Sequence, residues 1–178
     1  MERAPTSATG SSLIGTSIDL RESFAGRVGS DGVAAARAGG PLEAFELLTA
    51  TPDGWPHVAW LSPGEMLLVD ASTCRWCLWP DSTTVANLRA SGRALLQAVI
   101  GPRVVKVRFS ARPLGNIEVA GMSLAAFEAT VIDGSEDSAP YAEVTSGLRY
   151  ELKDPEAVAD RWEAQLDALR ELSTNDQE

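Results

Sequence analysis

Short runs in which apolar and polar residues alternate recur between residues 42 and 152, and such runs are typical of half-buried strands. Clusters of Gly, Pro, Asp and Ser separate the runs and indicate tight turns. The predicted strands are residues 42–50, 56–61, 65–70, 73–79, 93–100, 103–112, 124–132 and 148–152. Because no long helices alternate with these strands, the pattern excludes a doubly wound parallel sheet. It predicts a mainly β fold of the α+β class, in which antiparallel strands close into a small barrel and remove exposed sheet edges.

One helical segment interrupts the strand pattern. Residues 82–92 begin with three hydroxyl side chains and contain apolar residues three positions apart, which share one helical face. Asp81 or Ser82 can cap the free N–H groups of the first turn, and Gly92 can end the helix in the left-handed conformation. The hydroxyl-rich start also forms a small concavity that can bind an anion.

A second helical segment closes the chain. Asp154-Pro155-Glu156 combines a capping carboxylate, a proline suited to the first turn and an acid near the positive end of the helix dipole. The apolar stripe that follows consists of Val158, Trp162, Leu166, Leu169 and Leu172. This spacing predicts a C-terminal helix over residues 154–172.

The organisation of the chain follows from its length and local composition. A length of 178 residues favours a single domain. Residues 1–12 are small and polar, so we expect a flexible N-terminal tail. Residues 13–41 carry scattered apolar residues and a short helical pattern, so we predict an N-terminal helical arm. The barrel and its C-terminal helix then occupy residues 42–178.

The charge and cysteine content narrow the range of partners and compartments. A formal net charge of -10 argues against binding to nucleic acid or to an anionic membrane surface, because phosphates would be repelled. The sequence has no apolar run long enough to span a bilayer and no basic-then-apolar export signal. Two cysteines without an export signal indicate a reducing environment, so we expect a cytoplasmic protein.

Residue types that carry most enzyme chemistry are sparse. His57 is the only histidine, so one chain cannot form a multi-histidine metal site. Cys74 and Cys77 form a C-x-x-C motif, but in a strand this spacing directs them to opposite faces, which predicts two buried, reduced thiols. No phosphate-binding glycine loop or nucleophile elbow is present. The sequence therefore predicts neither a catalytic residue nor a metal site, and any redox chemistry would come from a bound cofactor.

Four short motifs follow one another in a recognisable order: residues 47–50, 53–57, 82–88 and 93–100. This order resembles the FMN-binding split-barrel proteins related to pyridoxamine 5'-phosphate oxidase, over roughly residues 42–152. The resemblance implies a six-stranded antiparallel split β-barrel with a short helix after the fourth strand. It also implies a homodimer with FMN at the subunit interface, the phosphate beside the hydroxyl-rich turn and the ring against adjacent strands.

Candidate cofactor contacts come from this resemblance and from residue chemistry. They are Trp60, Leu61, Trp79, Ser82, Thr83, Thr84, Asn87, Lys106 and Arg108. Thr84 stands where the family usually has a lysine, and its hydroxyl can bind a phosphate but cannot neutralise it. Each group also has a structural interpretation. The hydroxyls can cap a helix, the cations can lie on a solvated strand face, and the tryptophans can pack in the core or at a subunit interface.

The resulting functional prediction is a homodimer that binds FMN, or the deazaflavin F420, and acts as an oxidoreductase on a small molecule. Two alternatives stay open. The same barrel could bind flavin, haem or F420 without catalysis, or it could lack a cofactor and serve as a dimeric interaction module.

Overall fold

The computed structural model describes residues 18–172. The predicted tail at 1–12 and the first part of the predicted arm, 13–17, lie outside the described residues. The rest of the arm contains two helices, α1 (Leu20–Phe24) and α2 (Ser30–Ala38).

Nine strands lie in the described part of the chain: β1 (Leu42–Glu43), β2 (Phe45–Ala50), β3 (Pro56–Leu61), β4 (Met66–Leu68), β5 (Thr73–Leu78), β6 (Arg93–Ile100), β7 (Arg103–Val119), β8 (Met122–Asp137) and β9 (Arg149–Tyr150). β1 and β9 pair with each other, and the other seven form one sheet in the order β3-β2-β6-β7-β8-β5-β4. All neighbouring pairs in this sheet are antiparallel. Helix α3 (Thr83–Ser91) lies between β5 and β6, and α4 (Pro155–Glu171) follows β9. The predicted fold class, mainly antiparallel β within the α+β class, is therefore confirmed. The main sheet has seven strands, one more than the resemblance implies, and α3 follows the fifth strand along the chain and not the fourth.

The hairpin of β7 and β8 is longer than the predicted strands, which ended at residues 112 and 132. β7 continues to Val119 and β8 to Asp137. Cross-strand ion pairs account for part of this extension, since Asp133, Glu136 and Asp137 each pair with a cation of β7. Local alternation of apolar and polar residues does not reveal such pairs, so both strands were predicted to end too early.

The helix ends form as their sequences predict. The Ser82 side chain accepts a hydrogen bond from the Val85 N–H at 3.2 Å, and Gly92 ends α3 with a φ of 61°. The Asp154 carboxylate accepts a hydrogen bond from the Ala157 N–H at 3.2 Å at the start of α4. The caps at Ser82 and Gly92 fix where α3 begins after β5 and where it ends before β6.

Side chains from one face of the sheet fill the interior of the fold. The largest of them include Leu47, Trp76, Leu96, Phe109 and Phe127, all under 2% exposed. Helix α1 adds Leu20 and Phe24 to this cluster, and α3 adds Val85 and Leu88. Because packed side chains occupy the interior, a ligand has to bind on an outer surface of the sheet or at its edges.

Helix α4 covers the opposite face of β5 and of the outer parts of β7 and β8. Leu169 packs there with Cys77, Ile117 and Leu124, whereas Cys74 lies in the main core. The two thiols therefore lie on opposite faces, as predicted, and both are free and buried. Burial raises the pKa of Cys77 to about 12 and raises that of Cys74 further. Neither thiol is therefore an activated nucleophile.

Glu65 makes the stability of the protein depend on pH. Its carboxylate accepts a hydrogen bond from the Ser62 N–H at 2.7 Å, and burial raises its pKa above the ordinary value of 4.5. The folded protein then holds this proton more strongly than the unfolded chain. The group's contribution to stability is therefore complete below about pH 4.5 and declines as pH rises through the folded pKa.

We expect Glu65→Gln to remove this decline, because the amide oxygen keeps the bond to Ser62 without a buried charge. Urea unfolding of both proteins from about pH 4 to about pH 8 measures the difference. The variant should gain in relative stability as pH rises. A difference that does not change with pH would contradict the assignment.

Candidate functional site

Two polar residues of α3 are buried and bind the sheet. Thr84 is 3% exposed, and its Oγ1 lies 3.2 Å from His57 Nε2 of β3. Asn87 is 2% exposed, and its Nδ2 donates to Thr49 Oγ1 of β2 at 2.9 Å. These bonds attach the start of α3 to the ends of β2 and β3. Both side chains therefore already have protein partners.

The remaining candidates around α3 differ in exposure. Ser82 is half-buried and caps the helix, whereas Thr83 is exposed. Trp79, the residue after β5, is 56% exposed. Leu61 at the end of β3 is 1% exposed and belongs to the main core. Trp79 and Thr83 are thus accessible to a ligand, and Leu61 is not.

The outer face of the sheet brings other candidates together. Trp60 on β3 lies opposite Glu46 on β2, which lies opposite Gln97 on β6, which lies opposite Lys106 on β7. Residues opposite one another in a ladder project from the same face, so these four form one row across the sheet. Gln97 donates to the Glu46 carboxylate at 2.6 Å and joins the two central strands.

A second row runs parallel to the first, two residues along each strand. It contains Val58, Leu48, Leu95 and Arg108. Val58 is 49% exposed and Trp60 is 65% exposed, while Leu48 and Leu95 are half-buried. The second row is therefore apolar over β3, β2 and β6, the first row carries Glu46 and Gln97 on the two central strands, and both rows end in a cation on β7. We call the surface formed by these two rows the outer-face patch.

The two cations of this patch have carboxylate partners on β8. Arg108 Nε donates to Asp133 Oδ1 at 2.6 Å, and Lys106 pairs with Asp137. The hydrogen bond from Arg108 lowers the pKa of Asp133 below its ordinary value. The side chain of Arg108 is still 57% exposed, so an incoming anion can share its guanidinium.

Sequence reasoning missed Arg93, which extends the patch. It is exposed at the start of β6, lies opposite Ser110, and makes no ion pair within residues 18–172. Arg93 lies two residues before Leu95 on the same strand, so it projects from the same face. The period-two pattern of β6 already places Arg93 on the same face as Leu95. The residue also follows the end of α3 closely, however, so in the sequence it resembles a cation that stabilises the end of a helix.

The described residues offer neither a cluster of metal ligands nor a membrane-spanning helix. No group of three or more His, Cys, Asp or Glu side chains in 18–172 is placed to hold a metal ion. Within the same range no helix combines the length and apolar character needed to cross a membrane.

Several solved structures have a similar arrangement of strands, and three of them match more than half of this chain. A candidate pyridoxamine 5'-phosphate oxidase from Lactobacillus delbrueckii is 15% identical, with 66% of this chain and 98% of that chain covered and a TM-score of 0.45. HupZ of Group A Streptococcus is 13% identical, with 55% and 90% covered and a TM-score of 0.42. An F420 reductase is 16% identical, with 52% and 89% covered and a TM-score of 0.41. The group includes the oxidase-like proteins that the sequence motifs resemble.

Sequence comparison gives a nearer relative. No family model matches the chain. The uncharacterized protein YclD of Bacillus subtilis (strain 168) is 35% identical over 128 residues, which cover 72% of this chain and 83% of YclD. At this identity and coverage the chain belongs to the same protein family as YclD.

Proposed function

We propose that the protein is a homodimeric flavin-binding protein that carries out two-electron chemistry on a small molecule, with FMN as the first candidate cofactor and F420 as the second. The observation that supports this most directly is the outer-face patch. It places an exposed tryptophan and half-buried leucines beside cations in a chain whose net charge is -10. A planar ring needs an apolar surface, and a phosphate needs positive charge or N–H donors.

The residues of the patch fit these two requirements in different places. Trp60, Leu48 and Leu95 offer an apolar surface for a ring. Arg93 and Arg108 offer guanidinium groups on the same face for a phosphate. A bound flavin would supply hydride acceptance and donation, while this chain would bind the ring, orient it and limit its contact with water.

A second copy of the chain would complete such a site. Val58 and Trp60 leave apolar surface exposed on β3, which lies at one edge of the sheet. Exposed aromatic surface of this kind is enriched in subunit interfaces. In this proposal a partner covers part of the outer-face patch and encloses the ligand between the two subunits.

One observation favours a second candidate function, a dimer without a cofactor. The Thr84 hydroxyl is bonded to His57, and Lys106 and Arg108 are paired with aspartates, so these three predicted phosphate contacts already have protein partners. Both functions share the dimer, so the molecular mass in solution does not separate them. Binding of FMN does.

We expect Trp60→Ala to weaken FMN binding by about 1–2 kcal/mol, roughly 5- to 30-fold in Kd, through loss of ring stacking. Quenching of flavin fluorescence during titration measures this. Trp55→Ala is the matched control, because Trp55 is 71% exposed in the turn before β3 and lies outside the patch. Equal effects of the two changes would remove Trp60 from the site.

The double change Lys106→Ala with Arg108→Ala tests the phosphate end. Because Asp133 and Asp137 already neutralise part of this charge, we expect FMN binding to weaken by about 1–3 kcal/mol, roughly 5- to 150-fold. Riboflavin, which lacks the phosphate, should bind almost equally to both proteins. The control is Arg103→Ala, which removes a similarly paired cation from the first residue of β7, where the period-two pattern places it on the opposite face from Lys106 and Arg108. An unchanged FMN affinity in the double variant would exclude β7 from phosphate binding.

A further inference from the structure

A separate cavity lies where the N-terminal arm meets the β1–β9 ribbon. Its volume is about 200 Å³, and its lining includes Arg27, Leu42, Glu43, Phe45, Pro63 and Arg149. None of these residues belongs to the outer-face patch. The cavity is partly open to solvent, so a small molecule can enter without unfolding the arm.

The lining of this cavity contains two arginines and one glutamate. Arg27 Nη1 lies 3.0 Å from Glu43 Oε2, and the two side chains are about one third exposed, at 35% and 32%. Arg149 faces Glu43 across the β1–β9 ladder, is exposed, and makes no ion pair within residues 18–172. Two guanidinium groups therefore accompany one carboxylate. This local excess of positive charge is unusual on a chain with a net charge of -10.

The wall on the arm side is held in place by hydrogen bonds. The turn between α1 and α2 contains Gly26 and Gly29, with φ values of 71° and 64°. The Gly26 N–H donates to the Asp31 carboxylate at 3.2 Å, and the Gly29 N–H donates to the Pro63 carbonyl at 3.0 Å. Phe45, 3% exposed, contacts Phe24 edge to face with ring centroids 5.7 Å apart. Backbone hydrogen bonds and a buried aromatic contact thus fix the arm-side wall of the cavity.

We propose that this cavity binds a small organic monoanion, a carboxylate on a short apolar body. The carboxylate pairs with Arg149 and shares Arg27 with Glu43, while the body contacts Leu42, Phe45 and Pro63. A guanidinium binds a carboxylate through two parallel N–H donors, which gives the site its preference for a planar anion. The volume is below the range of about 300–1,000 Å³ common for drug-sized ligands, so nucleotides and flavins are too large. This inference does not depend on flavin binding.

Calorimetric titration with three probes of similar shape tests the proposal: benzoate, benzamide and benzylamine. Benzoate should bind saturably, and the neutral amide and the cation should bind at least about 10-fold more weakly. Arg149→Gln should weaken benzoate binding at least about 10-fold, and Arg149→Lys should weaken it less, because the charge stays but the paired donors are lost. Glu43→Gln should strengthen binding several-fold by releasing Arg27.

The proposal is overturned if benzoate fails to saturate, if benzamide binds as tightly as benzoate, or if Arg149→Gln leaves benzoate affinity unchanged. Arg149 is exposed, so its replacement is not expected to unfold the protein, and a thermal melt of each variant confirms this. An FMN titration of Arg149→Gln separates the two sites. It should match the unchanged protein whether or not benzoate binds.

Discussion

Replacing Trp162 by alanine should reduce the free energy of unfolding by about 3–5 kcal/mol. Trp162 is 1% exposed and joins α4 to α2 and to the turn before β4. The contact is so close that a Cβ atom added at Gly64 would lie 2.1 Å from Trp162 Cγ. The turn at Pro63–Glu65 contacts the indole through Gly64, which has no side chain. That residue therefore offers no side chain that can fill the space that the indole leaves. Urea unfolding followed by circular dichroism measures the loss.

The matched control is Trp55→Ala, since Trp55 is 71% exposed and its removal creates no cavity. We expect a change within about 0.5 kcal/mol for this control. A loss below about 1 kcal/mol for Trp162→Ala would show that α4 is weakly attached to the sheet.

Replacing Arg75 by methionine should reduce stability by about 3–5 kcal/mol. Arg75 is 5% exposed and connects β5 both to β8 and to the end of α4. Its Nη1 donates to the carbonyls of Leu169 and Leu172 at 2.8 and 2.7 Å, and its Nε and Nη2 both donate to the Glu128 carboxylate at 3.2 Å. Without the guanidinium, the carbonyls of the last helical turn lose this donor, and the buried Glu128 carboxylate keeps only its bond to Arg112.

The same carboxylate provides the control. Arg112 donates to Glu128 at 2.5 Å from the other side, but its side chain is 48% exposed, so Arg112→Met should cost at most about 1 kcal/mol. Adding Glu128→Gln to Arg75→Met should restore part of the loss, because no buried charge then remains. Equal losses for Arg75→Met and Arg112→Met would contradict the role assigned to Arg75.

Much of the fold could be predicted because the signals are local. The strand positions follow from period-two alternation, and the ends of α3 follow from Ser82 and Gly92, whose roles depend on neighbours within a few residues. The extension of β7 and β8 could not be predicted in this way. It is supported by ion pairs such as Arg108–Asp133, whose partners lie 25 residues apart.

In the candidate site, too, the contacts between residues far apart in sequence could not be predicted. A bridge from Asn87 to a neighbouring strand is one interpretation that the sequence leaves open, but the partners of Thr84 and Asn87 cannot be named from it, because His57 and Thr49 lie 27 and 38 residues away in sequence. Leu61 is a candidate through the family resemblance, but it lies opposite Phe45 and faces the main core, which becomes known only with the register of β2 and β3. The outer-face patch appears only when the register of four strands is known.

The central claim, that the outer-face patch serves a flavin, is tested most directly by titrating the purified full chain with FMN and recording its absorption spectrum. The account predicts a saturable change in the flavin bands at a fixed ratio of flavin to protein, with lower affinity for Trp60→Ala than for Trp55→Ala. A protein whose addition leaves the spectra of FMN and of F420 unchanged would contradict it and would leave the dimer without a cofactor as the function to pursue.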